Sequence, residues 1–374
     1  MSQLKKLIKD LCPDGVVYKT IQETVGVNRG KRLVKNQLSN DGEYEVYHGS
    51  KDSILGKYNQ YNAPANTTIV VNTGGIGGVK FLDKPFWCSD GSFWLGQSNE
   101  IHSKYLYYCL SGYEDYFYSQ KRIGGVPTID RNVVETFKIP IPPLEVQNEI
   151  VRILDTFTSH AAELQAELQA ELQARKEQYE YYRNKLLSFD KNNVDVRWIK
   201  IGEFCKILRG KRLTTKELDT NGKFPVFHGG IKPIGFYPHS NRAANSTMII
   251  NVGASAGTVG FCKTAFWSSD GCFCFTHNKI VIQKYLFYVL QSMEISLKSK
   301  VRIAGIPTLD NKNIERLVIP VISLSEQQRI ISILDKFETL VNDLTEGIPA
   351  EIAAVQEQYE YYRNKLLSFP KLEA

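Results

Sequence analysis

Two textures alternate along the chain. Short apolar runs bounded by Gly and Asn, such as Thr67-Thr68-Ile69-Val70-Val71-Asn72 and Ser246-Thr247-Met248-Ile249-Ile250-Asn251, predict strands joined by tight turns. Each such region also predicts a helix, near Lys104–Leu110 and near Lys284–Leu290. The second texture follows the proline punctuation of Ile139-Pro140-Ile141-Pro142-Pro143. From there Ile150, Ile153, Leu154, Phe157, Ala161, Leu164, Leu168, Leu172, Tyr179, Tyr182 and Leu186 fall, apart from the adjacent Ile153 and Leu154, at steps of three, four or seven, which is helical spacing. Neither Gly nor Pro interrupts residues 144–188, and those 45 residues make a rod of about 67 Å. An amphipathic helix of that length needs a partner for its apolar stripe, so a coiled-coil pairing is expected. A second such pattern runs from Ser325 to Ser368. Its middle carries Glu346-Gly347-Ile348-Pro349, which predicts a kink or break.

The textures recur because the chain is one unit written twice. Glu177–Phe189 and Glu357–Phe369 are the same 13 residues, EQYEYYRNKLLSF, set 180 positions apart. The same offset relates Arg29-Gly30-Lys31-Arg32-Leu33 to Arg209-Gly210-Lys211-Arg212-Leu213, His48-Gly49 to His228-Gly229, Asp90-Gly91 to Asp270-Gly271, and Pro127-Thr128 to Pro307-Thr308. Residues 1–20 align with 181–200, so the chain starts near the end of one long-helix motif and finishes with another. This cyclic order predicts neighbouring termini. The expected fold is α+β: two similar globular domains separated by two long antiparallel coiled-coil helices in a pseudo-two-fold cyclic repeat. Its segments are an N-terminal piece over residues 1–15, globular domains over 16–140 and 191–320, and helices over 141–190 and 321–374.

Composition narrows the partners only slightly. With 43% hydrophobic and 23% charged residues in 374, the chain reads as globular. A net charge of +6 permits a polyanionic partner without demanding one. Seven cysteines, an odd number without a CxxC pair, argue against a disulfide framework or a structural zinc site. Cys272-Phe273-Cys274 reads as alternation along a strand. The N-terminus is too polar for a signal peptide, and no apolar run reaches the roughly 18 residues of a membrane span. The expected location is the cytoplasm, with no membrane partner.

Catalytic signatures are missing: no GxxxxGK[ST] loop, no GxSxG elbow, no HExxH helix, no Asn-Pro-Pro-aromatic motif. His48 and His228 are the histidines matched between the units, and the sequence supplies no carboxylate–histidine constellation around them. The binding candidates are matched loops. Arg29, Lys31 and Arg32, with Arg209, Lys211 and Arg212, flank a glycine whose backbone can approach a phosphate while the cations neutralise it or read a guanine edge. A solvated basic loop is the plainer reading. Gly74 and Gly75, and Ser255 within Gly253–Gly257, form small-residue loops that suit either phosphate or a tight turn. Lys121 and Arg122, and Arg302, open the third matched loop, which is either groove-facing or a structural connection. Tyr179, Tyr182, Arg183 and Lys185, with Tyr359, Tyr362, Arg363 and Lys365, suit either packing between the helices or docking of another subunit.

Taken together, the chain resembles the DNA-specificity (S) subunit of type I restriction-modification systems. The resemblance rests on two variable domains alternating with near-identical helices in cyclic order, on the QYEYYRNKLLSF endings, on Pro143-Leu144-Glu145-Val146-Gln147 and Leu324-Ser325-Glu326-Gln327-Gln328, and on the R-I-x-G-x-P-T loops. It implies that each globular part is a target recognition domain reading half of a split double-stranded DNA site. Loops Asn59–Ala65 and Tyr237–Ala243 are candidates for base contact. It further implies that the helices set the gap and dock two methyltransferase (modification) subunits, with restriction/translocase subunits as further partners. The chain itself would bind no cofactor, since S-adenosylmethionine, ATP and Mg belong to those partners. Three AELQ repeats over Ala162–Gln173 look like a spacer, each adding about 6 Å of helix. The competing readings are a coiled-coil scaffold whose domains bind proteins, and a DNA enzyme with an unrecognised site.

Overall fold

The computed structural model of the chain describes residues 2–122, 124–219, 221–342 and 347–372. It divides into two compact units, Met1–Glu167 with Ile352–Ala374, and Leu168–Glu351. Each is described by itself.

In the first unit a four-stranded antiparallel sheet has the order Val27–Arg29, Ser92–Leu95, Thr67–Val71, Val79–Leu82. Thr67–Val71 is buried along its whole length because both of its faces are covered. Val70 joins the cluster that contains Tyr105, Leu106 and Leu110 of helix Ser103–Ser111. Ile69, on the opposite face, packs with Tyr47, Phe86 and Cys88. Those residues belong to or flank a three-stranded sheet of Gly56–Tyr58, Tyr44–Tyr47 and Trp87–Cys88, whose last pairing is parallel. A third pairing, Val17–Thr20 with Lys138–Ile141, delivers the chain to the long helix Leu144–Leu187.

That helix is anchored by a buried amide. Gln147 Nε2 donates to the carbonyls of Glu100 (3.0 Å) and Pro142 (2.7 Å), and its Oε1 accepts from the His102 N–H (2.8 Å). Further along, Phe157 meets Tyr362 at 5.8 Å between ring centroids, Thr158 donates to Tyr359, and Gln165 bonds Gln356. As one number rises the other falls, so this part of the helix runs antiparallel to helix Ile348–Leu366. The chain ends meet in the same unit. Val16 bridges Lys371, its N–H bonds the Pro370 carbonyl at 2.9 Å, and Tyr18 donates to the Phe369 carbonyl. The neighbouring termini expected from the cyclic order are therefore present.

The second unit repeats the topology. Its sheets are Ile207–Arg209, Cys272–Phe275, Ser246–Ile250, Val259–Cys262 and Gly235–Tyr237, Phe224–Phe227, Trp267–Ser268, with Arg197–Lys200 paired to Val318–Val321. Gln327 takes the part of Gln147, bonding the Ile280 and Ile322 carbonyls and the Ile282 N–H. Cys272 and Cys274 lie in a strand, and all seven cysteines are buried free thiols. The second long pattern is interrupted where expected. Helix Leu324–Asn342 ends, and helix Ile348–Leu366 starts with Pro349 in its first turn, where the missing N–H is tolerated. Glu346 lies outside the described residues. No helix among the described residues is long and apolar enough to cross a membrane.

Candidate nucleic-acid interface

In the first unit the matched loops gather at one end of the four-stranded sheet. Strand Val27–Arg29 runs into the basic turn, and strand Ser92–Leu95 begins beside it. Gly30 is pressed onto the chain at Ser89: a Cβ on it would lie 1.9 Å from the Ser89 carbonyl oxygen. Lys31 N–H donates to the Cys88 carbonyl (2.9 Å), and the Trp87 indole donates to the Lys31 carbonyl (2.8 Å). The backbone is thereby clamped, while the side chains of Arg29, Lys31 and Arg32 are exposed. None of the three pairs with a carboxylate among the described residues.

The neighbouring loops interlock with this turn. Gly75 N–H donates to the Gly49 carbonyl (2.8 Å), and Gly74, at φ +79°, leaves no room for a Cβ, which would sit 2.6 Å from the same oxygen. His48 Nδ1 accepts from the Gly91 N–H at 3.2 Å and lies 3.3 Å from Asp90. The sequence had supplied no carboxylate for this histidine. The structure corrects that, because the turn at Asp90 folds back onto strand Tyr44–Tyr47 across more than forty residues. Thr73 then bridges Thr128, bringing in the loop of Lys121 and Arg122. Arg122 pairs with Asp130, and Lys121 lies 3.6 Å over the Tyr118 ring, so these two are less free than the first three cations.

The second unit builds the same end. A Cβ on Gly210 would meet the Ser269 oxygen at 1.8 Å, Trp267 donates to the Lys211 carbonyl at 2.8 Å, and His228 lies 3.2 Å from Asp270. Arg209, Lys211 and Arg212 carry the cations, and Arg242 Nη2 donates to the Arg209 carbonyl. Ser255 is half-buried in the turn after strand Ser246–Ile250. A polar cleft of about 360 Å³ joins Arg209 and Arg302 with Asn251, Lys300 and Thr308.

Asn251 and its counterpart Asn72 were not singled out from the sequence. They are 5% and 7% exposed, and the side-chain oxygen of each has no hydrogen-bond partner. Asn251 lines the cleft with Arg209 and Arg302, and an unpartnered buried oxygen there suits an ordered water or a polar ligand. Their signal was available: both strands end in Asn at the same place in the repeat. Of the candidate base-contacting loops, Asn62 and Asn241 are used structurally. Asn62 bonds Cys88 and Asn241 bonds Ser268 through both ends of the amide.

The helix candidates divide by helix phase. Tyr179 is in the core of its unit and donates to Gln291, and burial pushes its hydroxyl up to about 12. Tyr182 stacks on Phe337, Tyr362 meets Phe157 edge to face, Tyr359 accepts from Thr158, and Arg363 is buried against Gly112. Arg183 lies over the Tyr179 ring. These six pack within their units. Lys185 and Lys365 face solvent, over the rings of exposed Tyr181 and Tyr361.

Residues 13–174, and again residues 193–354, match the family described as the type I restriction modification DNA specificity domain. The chain belongs to this family. Among relatives of this specificity subunit, the EcoR124I/EcoR124II specificity subunit of Escherichia coli is 32% identical over 427 residues, spanning 100% of this chain and 98% of the relative. The fold also matches the S subunit of a type I restriction-modification system from M. genitalium (TM-score 0.54, 21% identity, 94% of this chain and 96% of that one). A chain from a study of type I system assembly and conformational transition matches with TM-score 0.69 at 18% identity, over 96% and 98% of the two chains. The tandem of two specificity domains favours the DNA reading over a protein-binding scaffold.

Proposed function

We propose that each unit grips one half of a split, asymmetric double-stranded DNA site with the loops at the end of its four-stranded sheet. One observation carries this reading: in both units, cations without a carboxylate partner among the described residues project from a turn whose backbone is held by a close glycine contact and a tryptophan bond. Pre-organised cations suit a phosphate backbone. Because both units share them, they serve contacts that any sequence offers. His48 and His228, the small-residue turns at Gly74 and Ser255, and Asn72 and Asn251 extend the same strip. Lys121, Arg122 and Arg302 flank it. Bases are read by positions that differ between the units, including exposed residues of Asn59–Ala65 and Tyr237–Ala243.

Two modification subunits dock on the helix faces that carry Tyr181 with Lys185 and Tyr361 with Lys365, since identical faces suit identical partners. Restriction/translocase subunits join that assembly. Methyl transfer from S-adenosylmethionine and ATP- and Mg-dependent cleavage belong to those subunits, and this chain contributes no catalytic group. The AELQ tract sets the gap between half-sites. The complex works in the cytoplasm, where its DNA is.

Single-molecule sequencing of methylated DNA from cells with and without this chain tests the reading. The expected result is one bipartite motif that disappears when the chain is deleted. An unchanged methylation pattern, together with no duplex binding by the chain plus modification subunits, would overturn it.

A further inference from the structure

Both units hold out apolar side chains on the third matched loop, whose base is bridged to the same sheet end as the basic turn. Val126 is 75% exposed and Ile306 is 69% exposed, and they occupy matching positions beside the prolines; the second hairpin also exposes Ile303, at 80%, on its other arm. Each lies in a hairpin closed by a bridge, Arg122 to Thr128 and Arg302 to Thr308. The hairpins are tied to the sheet end by the Thr73–Thr128 and Val252–Thr308 bridges, and Gly253 N–H donates to the Pro307 carbonyl at 2.9 Å. Pro127 and Pro307 follow directly and limit backbone freedom. Gly125 and Gly305 take φ of +80° and +82°, and a Cβ on either would meet nothing within 4 Å, so the tips are narrow and stand clear of their units.

A surface that touches only phosphates gains nothing from an apolar tip, and water disfavours it. On a duplex an apolar side chain can meet a thymine methyl in the major groove or enter between base pairs, and a narrow tip that stands clear of its unit suits the second, where more of the side chain leaves water. We propose that Val126 and Ile306 are wedges, each entering the base stack and partly unstacking one step in its half-site. The proposal rests on the reading that this end of each unit faces DNA. Local unstacking also lowers the cost of extruding a neighbouring base, which a base-modifying partner requires.

The test uses the full chain assembled with its modification subunits, and a duplex carrying the methylated motif. 2-Aminopurine replaces, one at a time, each adenine other than the modified one. The expected result is a several-fold fluorescence rise at one step in each half. Val126→Ser removes the rise in one half and Ile306→Ser in the other, with melting temperature unchanged, and Val126→Leu keeps it. A wild-type complex that binds the duplex with no position brightening overturns the wedge, as does brightening that survives both serine substitutions. Loss of modification subunits from the Val126→Ser chain with the DNA signal intact also overturns it, and makes the tips protein contacts instead. Failure of the wild-type complex to bind any duplex is the distinct result that removes the DNA reading itself.

Discussion

Trp87 donates its indole N–H to the backbone carbonyl of Lys31, 2.8 Å away, and thereby holds the turn from which the exposed cations project. Trp87→Phe keeps the ring and removes the bond. Stability should fall by about 1 kcal/mol, the usual net worth of such a bond. DNA affinity should fall by roughly fivefold as the turn loosens, and Trp267→Phe should do the same through Lys211. Melting and duplex titration of the assembled complex check both.

Lys31→Ala and Lys211→Ala remove one cation each from the matched turns. If each neutralises a phosphate, the slope of log affinity against log salt should shrink by about 0.9 per substitution. The loss should be equal on cognate and unrelated duplexes. A loss confined to the cognate duplex would instead assign that lysine to base reading.

Gly30→Ala forces a methyl group into the Ser89 carbonyl, whereas Gly230→Ala meets nothing within 4 Å. The first should cost about 1–3 kcal/mol as an overpacked site, and the second should be close to neutral. Urea unfolding of the two variants separates them.

Gln147→Leu leaves the Glu100 and Pro142 carbonyls and the His102 N–H without their partner, around a side chain that is itself fully buried. Each stranded group costs about 1–3 kcal/mol, so this substitution should be among the most destabilising in its unit. The matching experiment on Gln327 should give a similar loss.

Glu149 is held below its ordinary value of 4.5 chiefly by hydrogen bonds from Arg152, and Glu326 likewise by Arg329. A depressed carboxyl contributes stability above its unfolded-state value and loses it as pH falls through the folded-state value. Glu149→Gln should therefore lower stability near neutrality, and the two stability curves should converge as pH drops below about 4.

The long helix, the repeat, the strand-and-turn texture and the basic turns were legible because each is written in local spacing. Leu144–Leu187 has no Gly or Pro to end it, and Gly347 with Pro349 marks the interruption of its counterpart. The candidate site was legible only as matched motifs. That Arg29, His48, Gly74 and Arg122 share one sheet end follows from strand order, which spacing does not record.

The sequence by itself determined that this is a doubled chain with identical helix endings and two related domains, since identity at a fixed offset needs no folding to be seen. Tertiary structure alone decided which side chains are available. Tyr179 and Tyr181 stand two residues apart, yet one is sealed in the core and the other is exposed, because burial depends on the surface that arrives from elsewhere in the chain. The same holds for the unpartnered amides of Asn72 and Asn251 and for the carboxylate beside His48. Their environments are made by segments distant in sequence, and only packing brings those segments together.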